Sequence, residues 1–161
     1  MQMTPDKKKN KLYIVVPCYN EEQVLGETSK RLKIKCENLI QKGQISKDSK
    51  IVFVDDGSKD RTWKMISELH ETDSLFSGVK LSRNRGHQNA LLAGLTMASE
   101  HADMAISMDA DLQDDINAVD QMIEKYYEGC DIVYGVRSAR ETDTFFKRFT
   151  AEAFYKLINK M

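Results

Sequence analysis

Met104-Ala-Ile-Ser-Met-Asp-Ala-Asp-Leu-Gln-Asp-Asp115 runs a hydrophobic segment straight into a cluster of carboxylates. Ile106 and Met108 alternate with smaller residues as in a buried strand, and Asp109 and Asp111 follow where that strand should run out. In extended backbone, residues i and i+2 point the same way, so these two carboxylates are expected side by side. Like charges so placed raise each other's pKa, unless a hard cation such as Mg2+ or Mn2+ lies between them and a phosphate. The plainer alternative is a solvated acidic loop of Asp109, Asp111, Asp114 and Asp115, with Asp115 as N-cap of the next helix. Asp-x-Asp is common by itself. Its weight here comes from standing at the carboxyl end of a strand, where open parallel sheets keep their ligand crevice.

The same pattern repeats on both sides of this stretch. Leu12-Tyr-Ile-Val-Val-Pro17 is an apolar run closed by proline and followed by the polar turn Cys18-Tyr-Asn-Glu-Glu22. Lys50-Ile-Val-Phe-Val-Asp55 ends in Asp55-Asp56-Gly57-Ser58, Gly78-Val-Lys-Leu-Ser82 gives a third strand, and Cys130-Asp-Ile-Val-Tyr134 predicts a fifth. Between them the apolar residues step helically. Val24, Leu25, Leu32, Leu39 and Ile40 mark a helix over residues 21–42, and Trp63, Met65, Ile66 and Leu69 a second, capped by Ser58 or Asp60. A third helix follows Arg83-Asn-Arg-Gly-His87, with Ala90, Leu91, Gly94, Leu95, Met97 and Ala98 on its apolar face, and a fourth amphipathic stretch runs from Ile116 to Tyr127. Strand and helix alternate without a hairpin signal. That predicts an α/β fold, a mostly parallel, doubly wound sheet with helices on both faces. Its carboxyl edge should gather Tyr19, Asn20, Glu22, Asp55, Asp56, Asp109, Asp111 and Arg137 into one cleft.

Composition narrows the classes of function. With 24 Lys and Arg against 25 Asp and Glu, the chain has no global basic field, so nucleic acid is not an expected partner. Cys18, Cys36 and Cys130 are odd in number and lack CxxC spacing, which suggests neither a zinc site nor disulfides and fits a reducing cytosol. No signal peptide and no run of about 18 apolar residues is present. His70, His87 and His101 share no metal-ligand spacing; His87, in the turn before the third helix, is the one with functional weight. Trp63 and Met65, Met97, Met104, Met108 and Met122 fall on apolar stripes and read as core, and Cys18 as a packed thiol.

Acid pairs and arginines at one sheet edge suit a metal-bound diphosphate, and hence a nucleotide. The first strand leads into Pro-Cys-Tyr-Asn-Glu-Glu instead of GxGxxG, and no GxxxxGK[ST] loop occurs, which sets aside dinucleotide cofactors and P-loop enzymes.

Four segments in order, Val16-Pro-Cys-Tyr-Asn-Glu-Glu22, Val54-Asp-Asp-Gly-Ser58 with Asp60 and Thr62, Leu81-Ser-Arg-Asn-Arg-Gly-His-Gln88 and Met108-Asp-Ala-Asp-Leu-Gln113, resemble glycosyltransferase family 2. In flavour they are most similar to its polyprenyl-phosphate sugar transferases, the group of dolichyl-phosphate mannose synthase and bactoprenol glucosyl transferase. The resemblance covers residues 12–148. It implies a GT-A fold, a UDP- or GDP-sugar donor, Mg2+ or Mn2+, a lipid-phosphate acceptor, inversion at the sugar carbon and work at the cytoplasmic face of a membrane. Carried over by motif, Pro17, Tyr19 and Glu22, together with Asn20 and Asp56, would line the nucleotide, and Asp55 would read its base. Asp109 and Asp111 would hold metal and diphosphate with Gln113 beside them, while Arg137 and Arg148 would meet phosphate. Arg85 departs from the aromatic residue frequent in similar chains.

The resemblance also implies a longer protein, since similar transferases run to about twice this length with a later acidic motif. Three units follow: a polar tail over residues 1–11, the nucleotide-sugar-binding core over 12–143 and an amphipathic helix over 144–161. In that last segment Phe149, Phe154, Leu157 and Ile158 recur at helical steps opposite Lys147, Arg148, Lys156 and Lys160, a pattern suited to core packing, to a membrane surface or to self-association. Two rivals stand beside the enzyme: a catalytically silent nucleotide-binding fragment, and a receiver-type signalling domain, which is also doubly wound with acids at its strand ends.

Overall fold

The structure, a computed structural model, describes residues 9–111, 113 and 115–136. The apolar runs become β1 (Leu12–Cys18), β2 (Lys50–Asp55), β3 (Phe76–Lys80) and β4 (Met104–Ser107). The helical spacings become α1 (Leu25–Gln41), α2 (Thr62–Thr72), α3 (His87–His101) and α4 (Ala118–Tyr127). All strand pairs are parallel, in the order β3-β2-β1-β4.

That order follows from the connections. The chain starts in the middle at β1, steps outward to β2 and β3, and returns through α3 to place β4 on the other side of β1. The direction of winding therefore reverses between β1 and β4, the position where doubly wound sheets bind ligands. A receiver domain needs the order 2-1-3-4-5, so the strand order removes that rival.

Alternation along the strands feeds two cores. Leu12, Ile14, Val16, Ile51 and Phe53 pack with Leu25, Leu32, Leu39, Ile66, Val119 and Ile123, so α1, α2 and α4 cover one face. Val15, Val52 and Val54 pack with Ala90 and Ala98 of α3 on the other. The α3 face is the tighter. A β-carbon added at Gly94 would stand 2.4 Å from Val15 Cγ1 and 2.8 Å from Val54 Cγ2, so glycine is what lets this crossover helix lie close to the sheet.

Several expectations shift. The fifth strand, expected at residues 130–134, does not form: residues 132–136 follow no regular structure, and Ile132 and Tyr134 are 70% and 81% exposed. Strand formation needs a partner's ladder and a covering face, and local composition does not supply either. β3 lies two residues earlier than expected, and α1 begins at Leu25 because residues 21–24 form a turn whose Glu21 carbonyl accepts the Val24 and Leu25 N–H groups. The formal caps fall a residue or two later than expected, on Arg61 before α2 and Asn117 before α4, neither making a side-chain cap bond, while the expected aspartates serve the helix starts from just outside: Asp60 Oδ1 accepts the Thr62 N–H and Asp115 Oδ1 the Asn117 N–H, each at 2.9 Å. The helix expected over residues 144–161, and the expected site residues Arg137 and Arg148, fall outside the described residues.

Gly94→Ala is expected to destabilise the fold by about 1–3 kcal/mol through overpacking against Val15 and Val54. Urea denaturation checks this; an unchanged midpoint would mean that the two valines give way.

Candidate nucleotide site at the carboxyl edge

Pro17 opens the crevice. Val15 turns toward β4, its carbonyl accepting the Met108 N–H at 3.0 Å, and alternate residues of a parallel strand face the same neighbour. The N–H that Pro17 lacks would therefore point past β4, whose last paired residue, Ser107, stands opposite Val15. No ladder bond is lost, and β1 and β4 part at this level. A cavity of about 90 Å³ lies there, lined by Pro17, His87, Leu91, Ser107, Met108 and Asp109.

Two loops on the other side of β1 are latched together. The Asn20 N–H donates to Ser58 Oγ (2.9 Å), Glu21 N–H to Thr62 Oγ1 (2.8 Å) and Glu22 N–H to Asp60 Oδ2 (3.1 Å). In return Lys59 N–H donates to Asn20 Oδ1 (2.9 Å) and Arg61 N–H to Glu22 Oε2 (2.9 Å). Asn20 takes φ 57°, a left-handed conformation that asparagine tolerates better than most residues. Burial raises the Asp60 carboxyl, but the bonds it accepts from Thr62 and from the Glu22 N–H outweigh this and leave it below its ordinary range. Asn20 and Glu22, expected at the nucleotide, thus each commit a side-chain oxygen to the neighbouring loop.

The acid pair after β2 divides its work. Asp55 is fully buried; its Oδ1 accepts the Ser58 N–H at 3.2 Å, whereas its Oδ2 has no hydrogen-bond partner among the described residues. A buried acceptor left in this way costs about 1–3 kcal/mol, more when charged, so Asp55 is poised for a donor. Asp56, also buried, has both oxygens engaged: the Arg85 N–H at 2.6 Å and the Gly86 N–H at 2.8 Å.

Asp109 and Asp111 are exposed on either side of buried Ala110, whose carbonyl accepts the Thr28 hydroxyl of α1 at 2.5 Å. That bond fixes the acidic turn to the body of the fold. Asp111 Oδ1 accepts the Gln113 N–H at 3.1 Å, and His87 Nε2 lies 3.8 Å from Asp109 Oδ1. Sequence reasoning passed over Glu21. Its carboxyl is raised above the ordinary range by burial and then by the charges of Asp111, Asp60 and Asp109. Its signal was the adjacent pair Glu21-Glu22: the Glu22 carboxylate accepts the Arg61 N–H of the loop before α2, while the Glu21 carboxyl feels the charges of Asp111 and Asp109 after β4 as well as that of Asp60. Tyr19 is 39% exposed beside them in sequence.

These donors are hard oxygens with negative charge in excess, which fits Mg2+ or Mn2+. No three His, Cys, Asp or Glu side chains among the described residues are gathered as a ready metal site, so a bound cation would need oxygens from a ligand to complete its shell. Cys18 is buried and its thiol is pushed far up by burial and by Glu21 and Asp55, so it is packed and unreactive. A larger groove, about 880 Å³, runs along β4 between α4 and residues 130–136; it lies on the outer flank of the sheet, away from Asp55 and Glu21.

The family model described as glycosyl transferase family 2 matches residues 13–161. The chain is 56% identical over 150 residues to the uncharacterized glycosyltransferase YkoT of Bacillus subtilis, covering 93% of this chain and 44% of that protein. It is 42% identical over 151 residues to the prophage bactoprenol glucosyl transferase homolog of Escherichia coli, covering 94% and 47%. The chain therefore spans less than half the length of these curated relatives. Among solved structures it resembles Staphylococcus aureus TarS 1-349 in complex with UDP-GlcNAc, with a TM-score of 0.55 at 20% identity over 85% of this chain and 38% of that one. It also resembles the mannosyltransferase PcManGT from Pyrobaculum calidifontis in complex with GDP-Man and Mn2+, with a TM-score of 0.53 at 22% identity over 65% and 28%. Both likenesses concern the fold, a GT-A glycosyltransferase fold.

Glu21 gives a test of the charge excess. A carboxyl whose pKa is raised on folding opposes the fold when ionised, and that penalty fades as pH falls through its folded pKa toward the unfolded value near 4.3. Glu21→Gln should raise the melting temperature at neutral pH, with the gain disappearing in acid. A gain that persists in acid would place its origin elsewhere than in charge.

Proposed function

The chain belongs to glycosyl transferase family 2, and from that premise we propose that it forms the donor half of a glycosyltransferase. The reaction would move a sugar from a nucleoside-diphosphate sugar to a polyprenyl phosphate, with inversion, at the cytoplasmic face of a membrane. The observation that carries this reading is the buried, unpartnered Oδ2 of Asp55 at the carboxyl edge of the sheet. Uracil and guanine each present a ring N–H that a carboxylate can accept, so a UDP- or GDP-sugar supplies the donor this oxygen lacks. The ligands named for the two solved neighbours, UDP-GlcNAc and GDP-Man, are of this kind.

Each other residue takes a place around that anchor. Tyr19 would lie against the base, with Pro17 forming the crevice wall and Asn20 and Glu22 shaping the loop from behind through their latch to residues 59 and 61. Asp109, Asp111 and Gln113 would hold Mg2+ or Mn2+, which when bound supplies positive charge to the departing diphosphate. Arg137 and Arg148 are proposed to meet the phosphates. The acceptor oxygen of a polyprenyl phosphate is already anionic, so it attacks the anomeric carbon without a general base. A new carbon–oxygen bond forms opposite the leaving group, the bond to the diphosphate breaks, and the nucleoside diphosphate departs with the electron pair. The sugar carbon is inverted. The bactoprenol glucosyl transferase homolog supports a lipid acceptor, and the basic and aromatic residues 144–161 would rest on the membrane surface or on a second copy of the chain. Among the described residues no helix is long and apolar enough to cross a membrane.

A second reading is nucleotide binding without turnover, since the unpartnered Asp55 Oδ2 speaks to recognition of a base and not to bond breaking. Calorimetry followed by a donor-consumption assay separates the two. UDP or GDP is expected to bind with Mn2+ present and to lose most of its heat in EDTA, because diphosphate and carboxylates then repel by a few kcal/mol. Asp55→Asn, which turns the acceptor into a donor, should weaken binding about tenfold or more. Equal affinity with and without metal would contradict the cation's role, and an unaffected Asp55→Asn would contradict base recognition.

A further inference from the structure

Asp56 stands one residue from the proposed base-reading carboxylate, yet its surroundings differ. It is 2% exposed, its own N–H donates to the Cys18 carbonyl at 2.8 Å, and its two carboxylate oxygens accept the N–H groups of Arg85 and Gly86. Neither oxygen lacks a partner, and both partners belong to the turn between β3 and α3. A buried carboxylate accepting two backbone N–H bonds is a strong fixture, because each such bond is charge-assisted.

The turn it grips is held in other ways as well. Gly86 adopts φ +89°, a conformation open to glycine, and its N–H is shared with Asn84 Oδ1 at 3.0 Å. Asn89 Nδ2 donates to the Arg85 carbonyl at 2.7 Å. Gly57, with φ +70°, lies so flat against the turn that an added β-carbon would meet the backbone of Arg83 and Asn84 at 2.5–2.7 Å. The β2 and β3 loops are therefore fastened to each other, with Asp56 as the joint. What the joint presents is basic: Arg83 and Arg85 are exposed, and the next residue after Gly86 is His87, 3.8 Å from Asp109.

We propose that Asp56 is a positioning residue, touching no part of the nucleotide, which fixes the Arg83–Gly86 turn beside Asp109 so that its basic side chains meet the diphosphate. The inference rests on the nucleotide-sugar reading above and deepens it. It divides the acid pair after β2: Asp55 serves the base, and Asp56, through the turn, serves the phosphates. Asn at position 56 keeps the size of the side chain but puts a donor against one of the two N–H groups, so the turn loosens while Asp55 stays in place.

The test compares wild type, Asp56→Asn and Gly86→Ala, which strains the same turn without altering the carboxylate. Calorimetry with Mn2+ uses two probe pairs, uridine with UDP and guanosine with GDP. In both variants the nucleoside diphosphate should bind roughly tenfold more weakly while the matching nucleoside keeps its affinity within about twofold. That split is one a general loss of stability would not produce. Equal weakening of nucleoside and nucleoside diphosphate in Asp56→Asn would overturn the proposal, as would unchanged binding of both. Amide hydrogen exchange, read without any nucleotide, decides the grip independently: faster exchange confined to the turn over residues 83–89 supports it, and unchanged protection there overturns it. Failure of the wild-type chain to bind any of the four probes would strike the nucleotide reading itself, while the exchange result would still decide whether Asp56 holds the turn.

Discussion

Glu21, Asp109 and Asp111 reach the same edge of the sheet from loops at opposite ends of the described chain, and the polar residues there are arranged around that meeting of carboxylates. The sheet leaves no choice in the matter. With all strands parallel, every carboxyl end lies on one edge, and with β4 beside β1 the acids after β4 must stand next to the turn after β1. Among the described residues, Glu21 is raised by burial and by the neighbouring Asp111, Asp60 and Asp109. A fold that keeps such a cluster bears a standing electrostatic cost, which a divalent cation and its ligand would remove.

Around that cluster the polar residues fall into two sets. One set holds the loops: Asn20, Glu22, Ser58, Asp60 and Thr62 tie the first loop to the second, and Asp56 ties the second to the third. The other set is left available: Asp55 Oδ2, exposed Tyr19, and the exposed side chains of Asp109 and Asp111. Packing beneath sustains both, since α3 can lie against β1 and β2 only because Gly94 lacks a β-carbon. Rigid support under a charged and partly unsatisfied rim is the arrangement expected where a ligand completes the structure.

The fold was legible because its signals are local. Apolar runs ending in acid, separated by helical spacing, name parallel strands without reference to distant residues, and the four-segment resemblance named the family. Residues 130–134 defeated the same reasoning, because whether a short apolar run becomes a strand depends on a ladder partner and a covering face. The site was half legible. That Asp55, Asp109 and Asp111 share an edge follows from topology, but the latches join residues 38 to 41 apart in sequence, and no local pattern shows that Glu22 is committed to the neighbouring loop while Glu21 is not part of that latch through its side chain. Asp55 and Asp56 look alike in the sequence; only their hydrogen bonds distinguish a carboxylate waiting for a partner from one already occupied.

Paramagnetic broadening of backbone amide resonances by Mn2+ tests the proposed cation site most directly, because it locates the metal without relying on turnover. In the presence of a nucleoside diphosphate, broadening should centre on Asp109, Asp111 and Gln113 and spread to Glu21 and His87, and it should weaken sharply when the nucleotide is withheld. Broadening centred on another part of the surface, or equal with and without the nucleotide, would contradict a site in which these carboxylates and a diphosphate share one cation.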